Sequence, residues 1–361
     1  MSRSQLLRLG MMGMMACALV ALCLAGCATA GTSTKPAPLP RAGVHGIAPQ
    51  RTAAPLTTNA TGVQNRPLAS TGCGKPSPVA AGTSVVANLL SGHQTRIYRV
   101  HVPRGYTPRV PIPLVLSFHG HGSNATGQER LTGFSILADL HDFLAVYPQG
   151  TIGADGKTGW SSGGPGRPTS DDLLFVSDLL TKMQAEFCID PQRIYATGFS
   201  NGGGMTALLA CQLAGRIAAF APVSGSYYPQ PGGCRPGRPI SLLEFHGTGD
   251  HVVPYNGRAS TGLLSVPEWL QEWVGRDSCP DTPSVQTQAG DVTTYTWTGC
   301  AAGAVIEHYR IAGWGHRWPA LPATDAQETD SGVPVASVLI WRFFVAHPLP
   351  TQVKLTGDTS S

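Results

Sequence analysis

The sequence predicts an α/β fold in which helices cover both faces of a mostly parallel central sheet. Short apolar runs rich in β-branched and aromatic residues alternate with helix-like segments over most of the chain, and this alternation is typical of parallel sheets. A second observation is a Gly-x-Ser-x-Gly turn at residues 198–202, which joins one predicted strand directly to one predicted helix. With 361 residues, the chain is long enough to bury a substantial core in one domain.

The predicted elements alternate between strand and helix. Apolar runs or alternating patterns predict strands, and apolar stripes with good helix formers predict helices. The predicted strands cover residues 95–102, 113–118, 143–147, 193–197, 218–223 and 240–246. The predicted helices cover residues 128–141, 170–187, 205–213 and 335–346. Asp171 and Asp172 suit the first turn of the second helix, where carboxylates complement the helix dipole. This order predicts a single domain over residues 73–348.

The segments outside that domain differ in composition. Residues 1–26 carry two early arginines and an apolar run, which is typical of an export signal. The run ends at Leu24-Ala25-Gly26-Cys27, which resembles a bacterial lipobox and predicts a lipid on Cys27; an ordinary cleavage site nearby is the alternative. Residues 27–72 are rich in Ala, Thr, Pro and Gly and predict a flexible linker, and residues 349–361 form a polar tail. We therefore expect an exported protein, either lipid-anchored to the outer face of the cell membrane or released.

Six cysteines fall within the predicted domain. An even number in an exported domain predicts three disulfides, although spacing alone does not select the pairing. No Cys-x-x-Cys pair occurs, so a cysteine metal site is not expected. The net charge of +4 is small and is not gathered into Lys/Arg blocks, so no nucleic-acid partner is expected. The six are Cys73, Cys188, Cys211, Cys234, Cys279 and Cys300.

The turn at residues 198–202 identifies Ser200 as the candidate nucleophile. An apolar run precedes it and a helix-like stretch follows it, which is the context of a nucleophile elbow. Flanking glycines let the strand and the helix approach closely while the hydroxyl is held clear of the sheet. A second copy, Gly159-Trp160-Ser161-Ser162-Gly163, has no strand-like run directly before it. Because Gly164-Pro165-Gly166 follows it and disfavours a helix, we interpret this copy as a loop.

An acid and a base follow Ser200 in the chain order that α/β-hydrolases use. Asp250 comes just after a predicted buried strand and should lie at the carboxyl end of the sheet, although a turn-capping role is the alternative. His316 lies in a late loop rich in Gly and Trp and is the candidate base. His246, His251 and His308 are the other histidines considered. In such a triad the base takes the serine proton, and the acid orients the base and stabilises its charge.

The segment His119-Gly120-His121-Gly122 follows a predicted strand at the position where α/β-hydrolases form half of an oxyanion hole. We expect the backbone amides of His121 and Asn201 to stabilise charge that develops on the substrate carbonyl oxygen. A His-x-His pair can also bind metal, but two ligands without a third make a weak site. No metal and no organic cofactor are expected.

Together these motifs resemble the secreted esterases of the first carbohydrate esterase family, the feruloyl esterase and poly(3-hydroxybutyrate) depolymerase-like α/β-hydrolases. The resemblance covers nearly the whole predicted domain and includes Cys73-Gly74-Lys75, Tyr147-Pro148-Gln149-Gly150, Asp190-Pro191, Gly198-Phe199-Ser200-Asn201-Gly202-Gly203, Ala221-Pro222-Val223-Ser224-Gly225, His246-Gly247-Thr248-Gly249-Asp250 and Gly315-His316. It implies a triad of Ser200, Asp250 and His316. It also implies the disulfides Cys73–Cys234, Cys188–Cys211 and Cys279–Cys300.

The resemblance further implies the activity. We expect an extracytoplasmic serine esterase that cleaves carboxylic esters through an acyl-enzyme, with feruloyl or related esters linked to plant polysaccharide as substrates. Depolymerisation of poly(3-hydroxybutyrate) or a similar short-chain polyester is the enzymatic alternative, and a non-catalytic surface binding protein on a hydrolase scaffold is the alternative of another class. Trp160 and Trp314 are expected to line the substrate groove because flat rings offer a large contact area. Beyond the ester substrate, the only other expected partner is the membrane, through the lipid anchor.

Overall fold

The computed structural model of the protein describes residues 67–230, 232–288, 291–319 and 335–350. All of them belong to one unit that spans residues 63–361, and a separate unit, Met1–Gly62, contains none of them. The expected signal, the Cys27 lipid site, most of the linker and the tail from residue 351 therefore lie outside the described residues. Within the described ranges, no helix is both long enough and apolar enough to cross a membrane.

Strands and helices alternate through the first two thirds of the described chain. The strands are β1 Thr83–Ser91, β2 Gln94–Val102, β3 Ile112–Phe118, β4 Leu144–Pro148, β5 Thr151–Ile152, β6 Thr158–Gly159, β7 Ile189–Phe199, β8 Ala219–Val223, β9 Ser241–Gly247, β10 Ser284–Gln288, β11 Val292–Trp297 and β12 Ile306–Ile311. The helices are α1 Ala125–Thr132, α2 Phe134–His141, α3 Asp172–Glu186, α4 Asn201–Gln212, α5 Val266–Arg276 and α6 Val335–Ala346.

Ten of the described strands form one sheet in the order β1-β2-β4-β3-β7-β8-β9-β12-β11-β10. The pairs from β4 to β12 are parallel, whereas β1, β2, β10 and β11 add antiparallel edges on the two sides. A mostly parallel sheet is therefore present as predicted, and its central position belongs to β7, the strand that leads into Ser200. This topology, with a helix directly after β7, is that of an α/β-hydrolase.

Both faces of the sheet are covered, because residues of one strand alternate between two apolar clusters. In β3, for example, Leu114 and Leu116 belong to the larger cluster, together with Phe175 of α3. Their neighbour Val115 belongs to the second cluster, which includes Phe344 of α6. Every residue of β3 is buried. Strands with two buried faces have nearly continuous apolar sequences. The central strands could be predicted from sequence for this reason.

One predicted helix is divided in two. Residues 128–141 were expected to form a single helix, but Gly133 adopts a left-handed backbone (φ 65°) that ends α1 and precedes α2. Glycine reaches this conformation without the steric cost that a side chain adds. The other three predicted helices are present as α3, α4 and α6, whereas α5 was not predicted. α3 begins after Asp171, whose side chain accepts a hydrogen bond from the Leu174 amide.

Two of the three implied disulfides are wrong. The described structure joins Cys73 to Cys188 and Cys211 to Cys234, and only Cys279–Cys300 is confirmed. The reason is a short stretch of backbone pairing: the amide of Ser70 donates to Ile189 O at 3.0 Å, and the amide of Gly72 donates to Gln184 O at 2.8 Å. These bonds bring the chain around Cys73 alongside the start of β7, where Cys188 lies. They also show that the domain begins before residue 73.

The disulfide pairing predicts a difference in stability between two double variants. In the chain-entropy model, a crosslink stabilises more when it closes a longer loop. Cys73–Cys188 spans 115 residues and Cys279–Cys300 spans 21, so replacing both members of the first pair by Ala should destabilise the protein by about 1.5 kcal/mol more than replacing the second pair. Urea unfolding of the two variants measures the difference. Non-reducing peptide mapping that found Cys73 linked to Cys234 would contradict the pairing itself.

Candidate active site

Ser200 lies on a sharp turn between the end of β7 and the start of α4, and its backbone is left-handed (φ 58°, ψ −119°). Two glycines permit this turn. A Cβ at Gly198 would lie 2.3 Å from Gly202 O, and a Cβ at Gly202 would lie 2.2 Å from Phe118 O. Either distance is far below a van der Waals contact, so only glycine allows α4 to pack this close to β7 and β3. The predicted nucleophile elbow is present in its geometry.

Asp250 and His316 are brought together by the loops that follow β9 and β12. His316 Nδ1 lies 2.7 Å from Asp250 Oδ2, in a hydrogen bond between the two side chains. The two loops are also joined through the backbone, because the amide of Gly249 donates to Trp314 O at 3.0 Å. A Cβ at Gly247 would lie only 2.0 Å from Trp314 O, so this glycine is needed for the close approach.

Asp250 is held as an anion. Burial opposes its ionisation, but the hydrogen bond from His316, the charges nearby and a backbone amide together lower the pKa of this carboxyl below its ordinary value. The amides of Val252 and Val253 both donate to Asp250 Oδ1, at 2.9 and 2.8 Å. Asp250 Oδ2 is thereby left for the imidazole. An ionised carboxylate in this position fixes the histidine with Nδ1 protonated and Nε2 available as a base.

Ser200 and His316 line the same cavity, which has a volume of about 410 Å³. The His316 ring also packs against Phe199, with ring centroids 4.7 Å apart, so the residue before the nucleophile helps to position the base. Among the described residues, no hydrogen bond joins Ser200 Oγ directly to His316. Such catalytic hydrogen bonds often tighten only when substrate binds.

A buried charged cluster, formed by Glu244, His246 and His308, lies behind Asp250. Glu244 Oε1 lies 3.0 Å from His246 Nδ1, and Glu244 Oε2 lies 2.6 Å from His308 Nδ1. Burial favours the neutral acid, but the two imidazoles outweigh it and lower the pKa of Glu244 to about 2. His246 Nε2 lies 2.9 Å from Val253 O and 3.5 Å from Asp250 Oδ2.

This arrangement favours the protonated form of His246. Both of its ring nitrogens face acceptors, Glu244 Oε1 on one side and Val253 O on the other. Burial opposes the charge, but the hydrogen bond and charge of Glu244 outweigh it and raise the pKa of His246. The two histidines considered as alternative bases, His246 and His308, therefore serve Glu244. His251 is exposed and is not among the described residues that line the cavity.

The segment from His119 to Gly122 touches the nucleophile. A Cβ at Gly120 would lie 3.3 Å from Ser200 Cβ, which places the His121 amide in the loop next to the serine. The Asn201 amide is the first of α4, and the first amides of a helix have no acceptor within the helix. Both amides that were expected to form an oxyanion hole therefore belong to segments that flank Ser200.

His119 holds this loop in shape. Its Nε2 accepts a hydrogen bond from the Gly150 amide at 2.9 Å, and its Nδ1 lies 2.8 Å from Gly120 O, so the proton is on Nδ1. Burial lowers the pKa of His119 to about 4. His121 Nε2 lies 2.8 Å from Asp155 Oδ2 instead. The two imidazoles thus contact different protein groups. Among the described residues, no group of three or more His, Cys, Asp or Glu side chains could hold a metal ion.

The second Gly-x-Ser-x-Gly copy is a loop, as interpreted from the sequence, but it packs directly on the elbow. The Trp160 amide donates to Asn201 Oδ1 at 2.7 Å, and Asn201 Nδ2 donates to Ser162 Oγ at 2.9 Å. The Ser161 amide donates to Asp172 Oδ2 at 2.7 Å. The contact between this loop and Asn201 was not predicted from sequence. Neither an asparagine side chain nor the polar side chains of a Gly-rich loop indicate which residue they will contact.

Trp160 does not line the cavity, and its expected role in substrate binding is wrong. Trp314 is half-buried and is not among the described residues that line this cavity, and its role in a wider groove stays a prediction. Trp160 is fully buried, packs edge-on against Phe118 and donates from Nε1 to His119 O at 2.8 Å. The Arg317 guanidinium lies over the Trp314 ring, with its Cζ atom 4.3 Å from the ring centroid. In the described residues, the aromatic side chains at the cavity are instead Phe199 and Tyr228.

Comparison with known proteins identifies the family. The family model "Esterase PHB depolymerase" matches residues 97–232. Feruloyl esterase D of Neurospora crassa is 30% identical over 251 residues, which are 65% of this chain and 78% of that protein. The chain belongs to the PHB depolymerase esterase family. The matched segment contains the elbow with Ser200.

Other relatives are longer than the matched region. The bifunctional acetylxylan esterase/xylanase XynS20E of Neocallimastix patriciarum is 32% identical over 226 residues, which are 61% of this chain and 31% of that protein. Feruloyl esterase B of Piromyces equi is 31% identical over 227 residues, which are 60% of this chain and 42% of that protein. The chain thus spans less than half the length of these two relatives.

The role of His119 predicts a pH dependence of stability. Because the pKa of His119 is near 4 in the folded protein and has an ordinary value of 6.5, the unfolded chain binds a proton that the folded protein does not. The contribution of neutral His119 to the free energy of unfolding is therefore present above about pH 6.5 and is lost as the pH falls toward 4. Between pH 7 and pH 5 the wild type should lose about 2 kcal/mol through this group, and His119→Gln should lack that loss. Urea unfolding at the two pH values measures it.

His251→Gln, which changes an exposed histidine, is the matched control for the His119 experiment. Its stability should change with pH as the wild type does. Equal pH profiles for all three proteins would show that His119 is not held neutral by the fold.

Proposed function

We propose that this esterase cleaves carboxylic esters through an acyl-enzyme on Ser200, with feruloyl or related esters on plant polysaccharide as substrates. The observation that carries the serine mechanism is the 2.7 Å hydrogen bond between His316 Nδ1 and Asp250 Oδ2, at a cavity that Ser200 lines from a nucleophile elbow. The chain order of serine, acid and base is also the one that α/β-hydrolases use.

The chemistry proceeds in two steps. In the first, His316 Nε2 takes the proton of Ser200 as its oxygen attacks the ester carbonyl, and then gives that proton to the departing alcohol. In the second, His316 Nε2 takes a proton from water as the water oxygen attacks the acyl-enzyme, and then gives that proton to Ser200 Oγ as the acid is released. Asp250 stays ionised throughout and stabilises the imidazolium that forms in each step.

The proposed oxyanion donors are the amides of His121 and Asn201. A backbone donor aimed at the developing oxyanion contributes roughly 3 to 4 kcal/mol to stabilisation of the transition state. The support for this assignment is the contact between Gly120 and Ser200 and the position of Asn201 at the start of α4. Asn201 also fixes the loop of Trp160, so its side chain positions the machinery while its amide stabilises charge.

The names of the relatives support the proposed substrate class. Two are named feruloyl esterases and one is named an acetylxylan esterase/xylanase. The family description also names PHB depolymerase, so hydrolysis of a short-chain polyester is the second candidate. Tyr228, which is half-buried and lines the cavity, replaces Trp160 as the aromatic residue proposed to contact an acyl ring.

We also propose that the esterase is exported. Three disulfides occur within the described domain, and disulfides persist in oxidising compartments. The proposed signal at residues 1–26 and lipid at Cys27 rest on the sequence alone. Replacement of Cys27 by Ser followed by membrane fractionation tests the anchor separately from the activity.

The triad predicts that Ser200→Ala and His316→Ala each lower kcat by several orders of magnitude, because members of a triad act as a unit. Asp250→Asn should lower it by roughly 10⁴-fold through a misoriented imidazole. Steady-state kinetics with nitrophenyl acetate, together with covalent labelling by a fluorophosphonate, measures both effects. A folded Ser200→Ala variant that is still labelled and active would contradict the proposed serine mechanism.

The second copy supplies the control, and its two serines should differ. Ser161 donates its backbone amide to Asp172, so Ser161→Ala should leave turnover near the wild-type value. The Ser162 hydroxyl accepts from Asn201 Nδ2. Its loss removes a buried hydrogen bond and should destabilise the protein by about 1 to 3 kcal/mol. Thermal unfolding of the two variants separates this structural effect from a catalytic one.

The substrate class predicts a higher kcat/KM for methyl ferulate than for hydroxybutyrate oligomers. Tyr228→Ala should lower kcat/KM for ferulate more than for nitrophenyl acetate, since the smaller acyl group needs less of the cavity wall. A side-by-side panel with acetylated xylan and nitrophenyl butyrate measures the preference. Stronger hydrolysis of the oligomers would favour the polyester instead, and equal losses on both nitrophenyl acetate and ferulate would assign Tyr228 to packing.

A further inference from the structure

The cavity at Ser200 contains a cation with incomplete hydrogen bonding. Arg167 lines this cavity, and its Nε and Nη1 atoms are buried with no hydrogen-bond partner among the described residues. A guanidinium has five N–H donors and is always charged under ordinary conditions. Buried polar groups in native proteins are almost always paired, so two unpaired buried nitrogens on a half-buried arginine require an explanation.

No protein carboxylate forms an ion pair with Arg167 in the described part of the chain. Asp155 is close enough for its charge to act on the Arg167 pKa, but the Asp155 carboxylate lies against His121 Nε2 at 2.8 Å. Burial is the larger effect and lowers the pKa of the Arg167 guanidinium below its ordinary value. The fold therefore places the Arg167 guanidinium in a partly desolvated site, while the nearby Asp155 carboxylate contacts His121 instead.

The remainder of the cavity wall adds a second cation and no carboxylate. Its described lining contains Arg258 but no Asp or Glu. A cleft lined by one sign of charge raises the local concentration of ligands of the opposite sign. The cavity is thus suited to an anion even though an ordinary feruloyl or acetyl ester is neutral at its reacting group.

We infer that the substrate ester carries a free carboxylate close to the scissile bond and that Arg167 binds it. The inference rests on the proposed hydrolysis at Ser200 and narrows its substrate class to acidic esters. A carboxylate matches the planar guanidinium and forms a bidentate ion pair with it, which neutral alcohols and methyl esters cannot do. Arg167 is in this respect a residue that determines specificity, while the triad performs the bond cleavage.

The carboxylate has two chemical sources. It belongs either to the acyl part, as in a half-ester of a dicarboxylic acid, or to the alcohol part, as in an ester on a glycan that contains uronic acid. Both place a carboxylate within a few bonds of the ester, and Arg167 binds the same group in each case. Two pairs of substrates, each differing in one charge, separate the sources.

The acyl-side pair is 4-nitrophenyl hydrogen glutarate and its neutral methyl ester. The alcohol-side pair is acetylated xylo-oligosaccharide with and without a glucuronic acid branch. The wild type should hydrolyse the charged member of at least one pair with a kcat/KM about tenfold higher, which is the effect of one charge-assisted hydrogen bond. Arg167→Gln should abolish that ratio, and Arg167→Lys should restore part of it. Arg109→Gln, at an exposed position outside the cavity lining, controls for the loss of one positive charge.

A binding measurement tests the inference without turnover. In the Ser200→Ala background, monomethyl glutarate should raise the Tm more than dimethyl glutarate does, and Arg167→Gln should remove this difference. Ratios near one in both substrate pairs, with every ester hydrolysed, would overturn the inference and leave the proposed hydrolysis standing. If no ester is hydrolysed, the proposed function fails, and equal Tm shifts from the two glutarates would overturn the inference as well.

Discussion

The left-handed backbone of Ser200 is the constraint on which the geometry of the site depends. A non-glycine residue in such a conformation is strained by roughly 1 to 3 kcal/mol and persists only where its surroundings over-determine it. Here the Ser200 amide donates to Val223 O at 3.0 Å, while Ser200 O accepts from the amides of Gly204 and Ser226. The strained residue is thus tied to β8, to α4 and to the loop after β8. Its hydroxyl reaches the cavity because the backbone cannot relax.

Asn201 connects the elbow to the neighbouring loop of Trp160 and Ser162. Its side chain is fully buried and bonds the backbone of Trp160 and the hydroxyl of Ser162. The same loop is held from the other side by Asp172, which also forms a buried ion pair with Arg96 of β2. A polar network of this kind is stable only when its members are satisfied. Because the loop continues to Arg167, the elbow and the charged wall of the cavity are positioned by one set of buried hydrogen bonds.

The parts of this structure that could be predicted from sequence are those with a local or periodic signal. β3 is a nearly continuous apolar run, and α6 is bounded as predicted at Val335–Ala346. The elbow also has a local signal, because Gly198 and Gly202 are required wherever a strand and a helix approach this closely. Each of these features is specified by residues that lie near one another in the chain. The pair of Asp250 and His316 is distant in sequence and followed from chain order instead.

The features that sequence missed depend on contacts between distant segments. The Cys73–Cys188 bond follows from the pairing of Ser70 with Ile189, and nothing near Cys73 indicates that pairing. The break at Gly133 was missed because the apolar pattern continues across it, and the antiparallel edge strands β10 and β11 are half-exposed and lack long apolar runs. Trp160 was assigned to the cavity because a tryptophan in a Gly-rich loop is typical of a binding surface. Its burial is decided by Phe118 and His119, which come some forty residues earlier.

The charges of the site are separated into two regions of opposite sign, and this separation matters for the chemistry. Behind His316, the carboxylates of Glu244 and Asp250 flank His246. In front of His316, Arg167 and Arg258 line the open cavity. An arginine in contact with Asp250 would compete with His316 for the carboxylate. Since Asp250 Oδ1 is occupied by two amides and Oδ2 by the imidazole, the acid has no free acceptor facing the arginines. The fold can therefore attract an anionic substrate and keep the contact between Asp250 and His316 that the proposed reaction requires.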